Sequence, residues 1–368
     1  MINLALITTR FVRQGPNKQL LHLIRNLDRT KINPIIITLS PERAPSHEEE
    51  FRKEDIEIIR LNLGLIKSLL FARKRIQQIV DSRQIHIVHS FTYATRVEFA
   101  IHRLKNVVKL ATIRNSPKLS KNDYFGILGF FVYQMQMYFY RNMDKVIGCS
   151  ESIYNLAELE KLPRVLIPNG IATTDNTSFT NWLKTKSEIR QTLQLPNHSE
   201  IFITVSNGLP IKNIEFLINY FKKKKNQTLV IAGNQNQKYK DLSNSSDNIL
   251  FTGHVNNISQ YYTAADFFIS ASYSEGLPNA VLESLLSGTP CILSKIPMHK
   301  EIIEKTGDNI GILFENNNEA DLEANIAILK NRINSKTHGI CSDFVTNHFS
   351  AKKMASSYGK LYESIKSI

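Results

Sequence analysis

Two glutamates stand out for what their spacing could do. Glu275 and Glu283 lie with seven residues between them in SEGLPNAVLESLLSGTPCILS, residues 274–294. A carboxylate accepts hydrogen bonds from neighbouring hydroxyls, so two acids reaching different parts of one ligand suit a polyhydroxyl molecule. Between them, Pro278 fits a first helical turn, where its missing N–H costs nothing. Gly288 and Pro290 then stop the helix, which is expected over about 278–287. The first-turn N–H groups, from Asn279 to Val281, would form an anion site. Glu283 should sit roughly 6 to 9 Å further along the axis, with Val281, Leu282, Leu285 and Leu286 packed under a sheet. Hydroxyls, an anion and further hydroxyls are the order of groups in a nucleotide sugar. A surface helix with two solvated acids is the alternative, and the flanking elements weigh against it.

Those elements are apolar runs separated by helical patterns. In the first half the runs are INLALIT, PIIITL, IEIIRL, IHIVHS, VVKLATI and DKVIGC; in the second they are IFITVS, TLVIAG, NILFTG, DFFISA, PCILS and IGILF. Near-continuous apolar strands alternating with helices, such as those read over 67–82 and 93–105, predict parallel sheets covered on both faces. Two such series predict two doubly wound α/β domains. At 368 residues the chain is also long for a single core. The turn-rich IPNGIATTDNTSFTN, 167–181, marks the boundary. The division read is 1–172, with a C-terminal helix over 350–368 packing back on it, and 173–349. KKKK at 222–225 reads as a solvated helix end, where cations suit the helix dipole.

The chain carries 46 Lys and Arg against 33 Asp and Glu. Residues 1–170 hold 26 against 15, and residues 171–368 hold 20 against 18. The first half is either basic by compositional drift or basic because it faces something anionic. KSLLFARKRIQQIVDSR (67–83) and PKLSKNDYFGILGFFVYQMQMYFYR (117–141) place cations beside apolar and aromatic residues, which suits a membrane interface; a buried role for the aromatics is the alternative. No window is long and apolar enough for a transmembrane helix. Cys149, Cys291 and Cys341 form no metal-spaced pair and no disulfide framework, which favours a reducing compartment. Nothing has metal spacing, so no metal or other cofactor is expected.

SYSEGLPNAVLESLLSGTPCILS resembles the Glu-x7-Glu segment of family-four glycosyltransferases, of the bacterial surface-polysaccharide type with the GT-B fold. VSNGLPIKN (205–213) resembles that family's donor-phosphate loop. NILFTGHVNNISQYYTAADFFISAS (248–272) resembles its base-holding stretch. VIGCSESI (146–153) with VLIPNGI (165–171) resembles the end of its first domain. The resemblance implies two Rossmann-like domains facing across a cleft, the first binding acceptor and the second donor, and retaining transfer of a sugar from a nucleoside-diphosphate sugar to a glycan or lipid-linked glycan. It implies that Glu275 and Lys212 are catalytic, Glu275 near the reacting sugar and Lys212 on the leaving diphosphate. Glu283 would bind ribose hydroxyls. Backbone groups of Gly253, His254 and Val255 would hold the base, and Gly15 would bring its N–H to the diphosphate from the first domain. The donor-binding set is completed by Asn207, Gly276, Leu277, Pro278, Asn279, Ala280 and Val281.

The departures are Asn207 where the family often has Arg, Pro16 after Gly15 where a second glycine is common, HSF at 89–91 in place of His-x-His, and Arg114 where a His is common. His89 is then either an acceptor contact or a structural histidine, and Arg114 a candidate for binding an anionic acceptor group or for replacing a phosphate contact. The expected partners are a nucleotide sugar, a glycan or lipid-linked acceptor and an anionic membrane surface, with no nucleic acid. The expected place is the cytoplasm or the inner face of the plasma membrane. A sugar-nucleotide epimerase of the same fold and a basic, non-enzymatic polyanion-binding protein are the competing readings. The second rests on charge alone, without a helix-turn-helix, RNP or zinc pattern.

Overall fold

A computed structural model describes residues 1–92, 95–118, 129–173, 182–243, 246–307 and 309–366. The chain divides into two compact units, Met1–Ala172 with Phe349–Ile368, and Thr173–His348.

The first unit is built on seven parallel strands: β1 (Ile2–Thr8), β2 (Ile32–Thr38), β3 (Glu57–Arg60), β4 (Ile87–Ser90), β5 (Val108–Ile113), β6 (Lys145–Gly148) and β7 (Arg164–Leu166). Their order is β3-β2-β1-β4-β5-β6-β7. Strand order reverses between β1 and β4, the doubly wound arrangement in which ligands bind beyond the strands' carboxyl ends. Leu4, Leu6, Ile36, Ile87 and Leu110 are fully buried, as expected of strands covered on both faces. Six of the strands were legible as apolar runs; β7 was not. The β1–β2 register sets Pro34 opposite Leu4, one residue before the β2–β3 pairing begins at Ile35, so it stands at the start of that pairing, where a proline is tolerated. The last helix, Ala351–Lys366, packs on the Gly15–Asn26 helix and buries Tyr358 and Tyr362. Its entry is fixed by Ile171, whose N–H donates to the Phe349 carbonyl at 2.7 Å and whose carbonyl accepts from Ala351 at 2.8 Å. A Cβ on Gly170 would stand 2.6 Å from the Ala351 Cα, so only glycine allows this approach.

The second unit has six parallel strands: β8 (Glu200–Val205), β9 (Gln227–Ala232), β10 (Ile249–Gly253), β11 (Phe267–Ser270), β12 (Cys291–Ser294) and β13 (Gly311–Phe314). They run in the order β10-β9-β8-β11-β12-β13. The order of the first six strands of the other unit is repeated, and the reversal falls between β8 and β11. Phe202 of β8 stacks on Phe267 of β11, ring centres 5.3 Å apart. The start of β11 is held by Asp266, which pairs with Lys186 and Arg190 and accepts from the Ile201 N–H at 2.7 Å. The KKKK tract does more than solvate a helix end: Lys223 pairs with Glu319, Lys224 pairs with Glu323, and the Lys224 ammonium lies 4.6 Å from the Tyr220 ring centre.

Candidate active site

The loops that follow β8 and β11 meet at the reversal of the second sheet. After β8 the chain makes a short 3₁₀ turn, Pro210–Lys212, and ends it with Asn213 in the left-handed conformation at φ 51°. The Tyr273 N–H, on the loop after β11, donates to the Ile211 carbonyl at 2.9 Å, tying the two loops together. Across this tie the Lys212 ammonium reaches Glu275 at 2.6 Å. The Ser272 hydroxyl donates to the same carboxylate oxygen at 2.7 Å. Burial alone would raise the Glu275 carboxyl, but the charge of Lys212 and these hydrogen bonds outweigh it and hold the group below the usual glutamate range. Glu275 is therefore ionised at neutral pH.

Glu283 lies on the helix Asn279–Leu286. The helix is one residue shorter at each end than expected, and Pro278 is its cap rather than its first turn. Val281, Leu282 and Leu285 are buried as expected, with Ser284 beside them and Leu286 only half-buried. Glu283 remains half-buried and accepts from the Tyr262 hydroxyl at 3.2 Å, which orients it. One expected anion donor is lost: the Val281 N–H is engaged with the Pro278 carbonyl at 3.0 Å. The helix stops at Gly288, φ 82°, whose N–H donates to the Leu285 carbonyl and whose carbonyl accepts from His338 Nδ1 at 2.6 Å.

The remaining donor-side residues surround this centre. Gly276, Leu277 and Pro278 are buried in the loop, and Asn279 and Ala280 are half-buried at the helix start. Asn207 is exposed, and its side chain accepts from the Leu209 N–H at 3.4 Å to shape the β8 loop. Gly253 has φ 65° at the end of β10, and its carbonyl accepts from Gly233 at 2.8 Å. Beyond it His254 is exposed and Val255 half-buried. Among the described residues, no three His, Cys, Asp or Glu side chains gather where a metal could be held.

Sequence reading missed Ser272, Tyr262 and His299. His299 is fully buried on the helix Pro297–Thr306, and its Nδ1 donates to the Ser294 carbonyl at 2.8 Å. The Ser294 hydroxyl in turn donates to the Ser272 carbonyl at 2.7 Å. Burial pushes the His299 pKa down to about 4, so Nε2 carries a lone pair at neutral pH. No hydrogen-bond partner meets this buried Nε2. Nothing local in the sequence marks His299, because its role depends on β12 lying beside β11.

In the first unit, Gly15 opens the Gly15–Asn26 helix just beyond β1. His89 has the surroundings of the structural histidine that was one of its two expected roles. It is fully buried, with Nδ1 at 2.8 Å from the Tyr362 hydroxyl and Nε2 at 2.9 Å from Thr112 Oγ1. Burial and the nearby Arg114 push its pKa down to about 3. Arg114, next after β5, donates to the Phe91 carbonyl at 2.8 Å and to Asn169 at 2.6 Å, with its guanidinium 4.3 Å from the Phe91 ring centre. Its Nη2 is buried without a hydrogen-bond partner.

Comparison with known proteins follows the same division. The family model "Glycosyltransferase Family 4" matches residues 13–175 and the model "Glycosyl transferases group 1" matches residues 185–338. The chain is 30% identical over 178 residues to the alpha-monoglucosyldiacylglycerol synthase of Streptococcus pneumoniae, covering 45% of this chain and 40% of that protein. It is 26% identical over 231 residues to the Escherichia coli O-antigen biosynthesis glycosyltransferase WclY, covering 60% of this chain and 62% of that one. The matches thus span less than two thirds of either relative. The crystal structure of Anabaena HepE in complex with UDP-glucose superposes with a TM-score of 0.79 at 13% identity, covering 99% of this chain and all of that one; at that identity the likeness is one of fold. Two Rossmann-like units, each matched by its own family model, place this chain among the family-four glycosyltransferases of the GT-B fold.

Proposed function

We propose that this chain transfers a sugar, with retention of anomeric configuration, from a nucleoside-diphosphate sugar to a glycan or lipid-linked glycan acceptor in surface-polysaccharide assembly. The observation that carries the reading is the Lys212–Glu275 ion pair at the β8/β11 reversal, with Glu283 held by Tyr262 on the adjacent helix. The three groups match the three parts of a nucleotide sugar: Glu283 for ribose hydroxyls, Lys212 for diphosphate, and Glu275 for the sugar at the reacting centre. The names of WclY and of the HepE–UDP-glucose complex support the same substrate class.

The pairing assigns Lys212 a second task. While the site is empty its charge is balanced by Glu275, and a diphosphate that approaches competes for it. As the bond to the leaving group breaks, negative charge grows on the diphosphate and the lysine answers it most strongly there. A positive side chain and backbone amides thus supply the electrostatic stabilisation without a divalent metal. In the first unit, Gly15 is the proposed second amide for the diphosphate. Arg114 is the proposed contact for an anionic acceptor group, because its buried Nη2 has no partner and an unmatched buried cation is costly.

The test is a panel of nucleotide sugars screened by thermal shift and by hydrolysis, with EDTA present. Stabilisation and slow hydrolysis of one donor are the expected results. Binding of polyanions in a salt-dependent way, with no response to any nucleotide sugar, would favour the basic binding protein instead.

A further inference from the structure

The first unit carries an exposed face that the donor site does not use. On the helix Leu65–Ser82 only Ser68, Ala72, Ile76 and Val80 are buried. The first two turns expose Leu65, Ile66, Leu69, Leu70 and Phe71, with Ile66 72% and Leu70 66% exposed. A surface helix ordinarily presents polar groups on its outer side; apart from Lys67, this one presents them only from Arg73 onward. The helix Gly129–Arg141 repeats the feature, with Phe130 58% and Phe131 67% exposed. That settles part of the expectation for 117–141: Phe130, Phe131, Met135 and Tyr138 face outward, while Met137, Phe139 and Tyr140 are core. Residues 119–128, with Lys121 and Tyr124, lie outside the described residues.

The two apolar ends share one edge. The helix Leu65–Ser82 follows β3, and Gly129–Arg141 lies between β5 and β6. In a parallel sheet each crossover helix runs back against the strands, so both helix starts lie at the strands' carboxyl edge. Thr95–Ile101 packs against both helices, and just beyond it the His102 ring stands 5.8 Å from the Tyr138 ring.

Cations predominate around this face, where, among the described residues, Arg60 alone is ion-paired, with Glu48. Residues 58–80 contain Arg60, Lys67, Arg73, Lys74 and Arg75 and no acid, and residues 129–143 contain Arg141 and no acid. Lys67, Arg73 and Lys74 make no ion pair among the described residues. Elsewhere in the unit exposed arginines do pair, Arg52 with Glu48 and Arg83 with Glu57.

We infer that this face docks the protein on an anionic lipid bilayer, with the apolar helix starts inserted at the headgroup level and the basic turn against the lipid phosphates. Apolar side chains flanked by unpaired cations are what an interfacial contact requires. No described helix is long and apolar enough to cross a membrane, so the contact is a docking and not a span. A second copy of the chain is a poorer occupant, because it would set two unpaired basic turns near each other. The inference stands independently of the donor assignment and deepens the proposed function only by bringing the acceptor-binding unit to a lipid-linked substrate.

The experiment is flotation of the full chain with vesicles of phosphatidylcholine alone or mixed with phosphatidylglycerol, at low and high salt. Binding is expected only with phosphatidylglycerol and should be lost at high salt. The triple change Lys67→Gln, Arg73→Gln, Lys74→Gln should weaken it on the order of a hundredfold. The change Ile66→Ser, Leu70→Ser, Phe131→Ser should abolish it at an unchanged melting temperature, since all three residues are exposed. No flotation with phosphatidylglycerol at low salt would overturn the inference. So would flotation indifferent to both sets of changes, or changes that alter only self-association in sedimentation. Glu283→Ala should float like the parent protein, so failure of the donor reading is visible separately.

Discussion

The two units share a strand order and differ in what lies at the ends of the strands. In the second, the polar groups beyond β8 and β11 stand in the loops and on the helix that follows, partly open, and are organised by one another: Lys212 by Glu275, Glu275 by Ser272, Glu283 by Tyr262. In the first, His89 at the end of β4 is sealed by Thr112 and Tyr362, and Arg114 after β5 is sealed by Phe91 and Asn169. The same topology thus leaves partly open polar groups in one unit and deeply buried ones in the other, where, of the His89 and Arg114 nitrogens, only the Arg114 Nη2 is left without a partner. Position at a strand's carboxyl edge is not enough to assign a role; what decides is whether the partners of the side chain are already supplied by the protein. The surface charge divides the same way, basic in the first half and nearly balanced in the second.

Removal of the charge that meets the leaving group should show the largest effect. Lys212→Ala is expected to lower turnover by about a hundred- to a thousandfold, with a much smaller loss of donor affinity, in steady-state kinetics. Equal losses in both would mean that the lysine binds substrate and leaving group alike. Next is Glu275→Gln, which should lose mainly turnover and leave nucleotide affinity unchanged or improved, because Lys212 is then released to the diphosphate. Weaker nucleotide binding in that variant would show that the pair is needed to form the site.

The first unit should respond in stability and not in donor binding. His89→Leu removes two buried hydrogen bonds and strands Tyr362 and Thr112, which should cost about 1–3 kcal/mol in urea melts. Donor affinity should be unaffected. A donor defect in His89→Leu would break the contrast between the units.

The two units differ again in the pH dependence. His89 titrates at about 3 in the folded protein against 6.5 ordinarily. The unfolded chain therefore takes up a proton that the folded one refuses, and stability falls as pH drops below 6.5 toward about 3. His89→Leu should flatten that slope. Glu275 is held below its ordinary value by Lys212, so its contribution is present above that value and fades as pH falls through the lowered pKa. Glu275→Gln should lose stability at neutral pH and converge with the parent only in stronger acid.

What the sequence revealed was mostly local. Twelve of the thirteen strands are written as apolar runs. β7 is three residues long and nowhere fully buried, so it leaves no run to find. Glu275, Glu283 and the helix between them lie in one short segment whose glycine and prolines fix its ends. Tertiary partners were invisible. Tyr362 is 273 residues from His89, and Asn169 is 55 residues from Arg114, and no periodicity links them. His299 was missed for the same reason.

The central claim is that the second unit holds a nucleoside-diphosphate sugar through Glu283 without help from a metal. Calorimetric titration of the responding nucleotide sugar, in EDTA, into the parent protein and Glu283→Ala tests it directly. Hydrogen bonds to a charged acceptor are worth about 1.5–3 kcal/mol each, so the parent should bind in EDTA and the variant at least about tenfold more weakly. Equal affinity in the two proteins, or binding by the parent only when magnesium or manganese is restored, would contradict it.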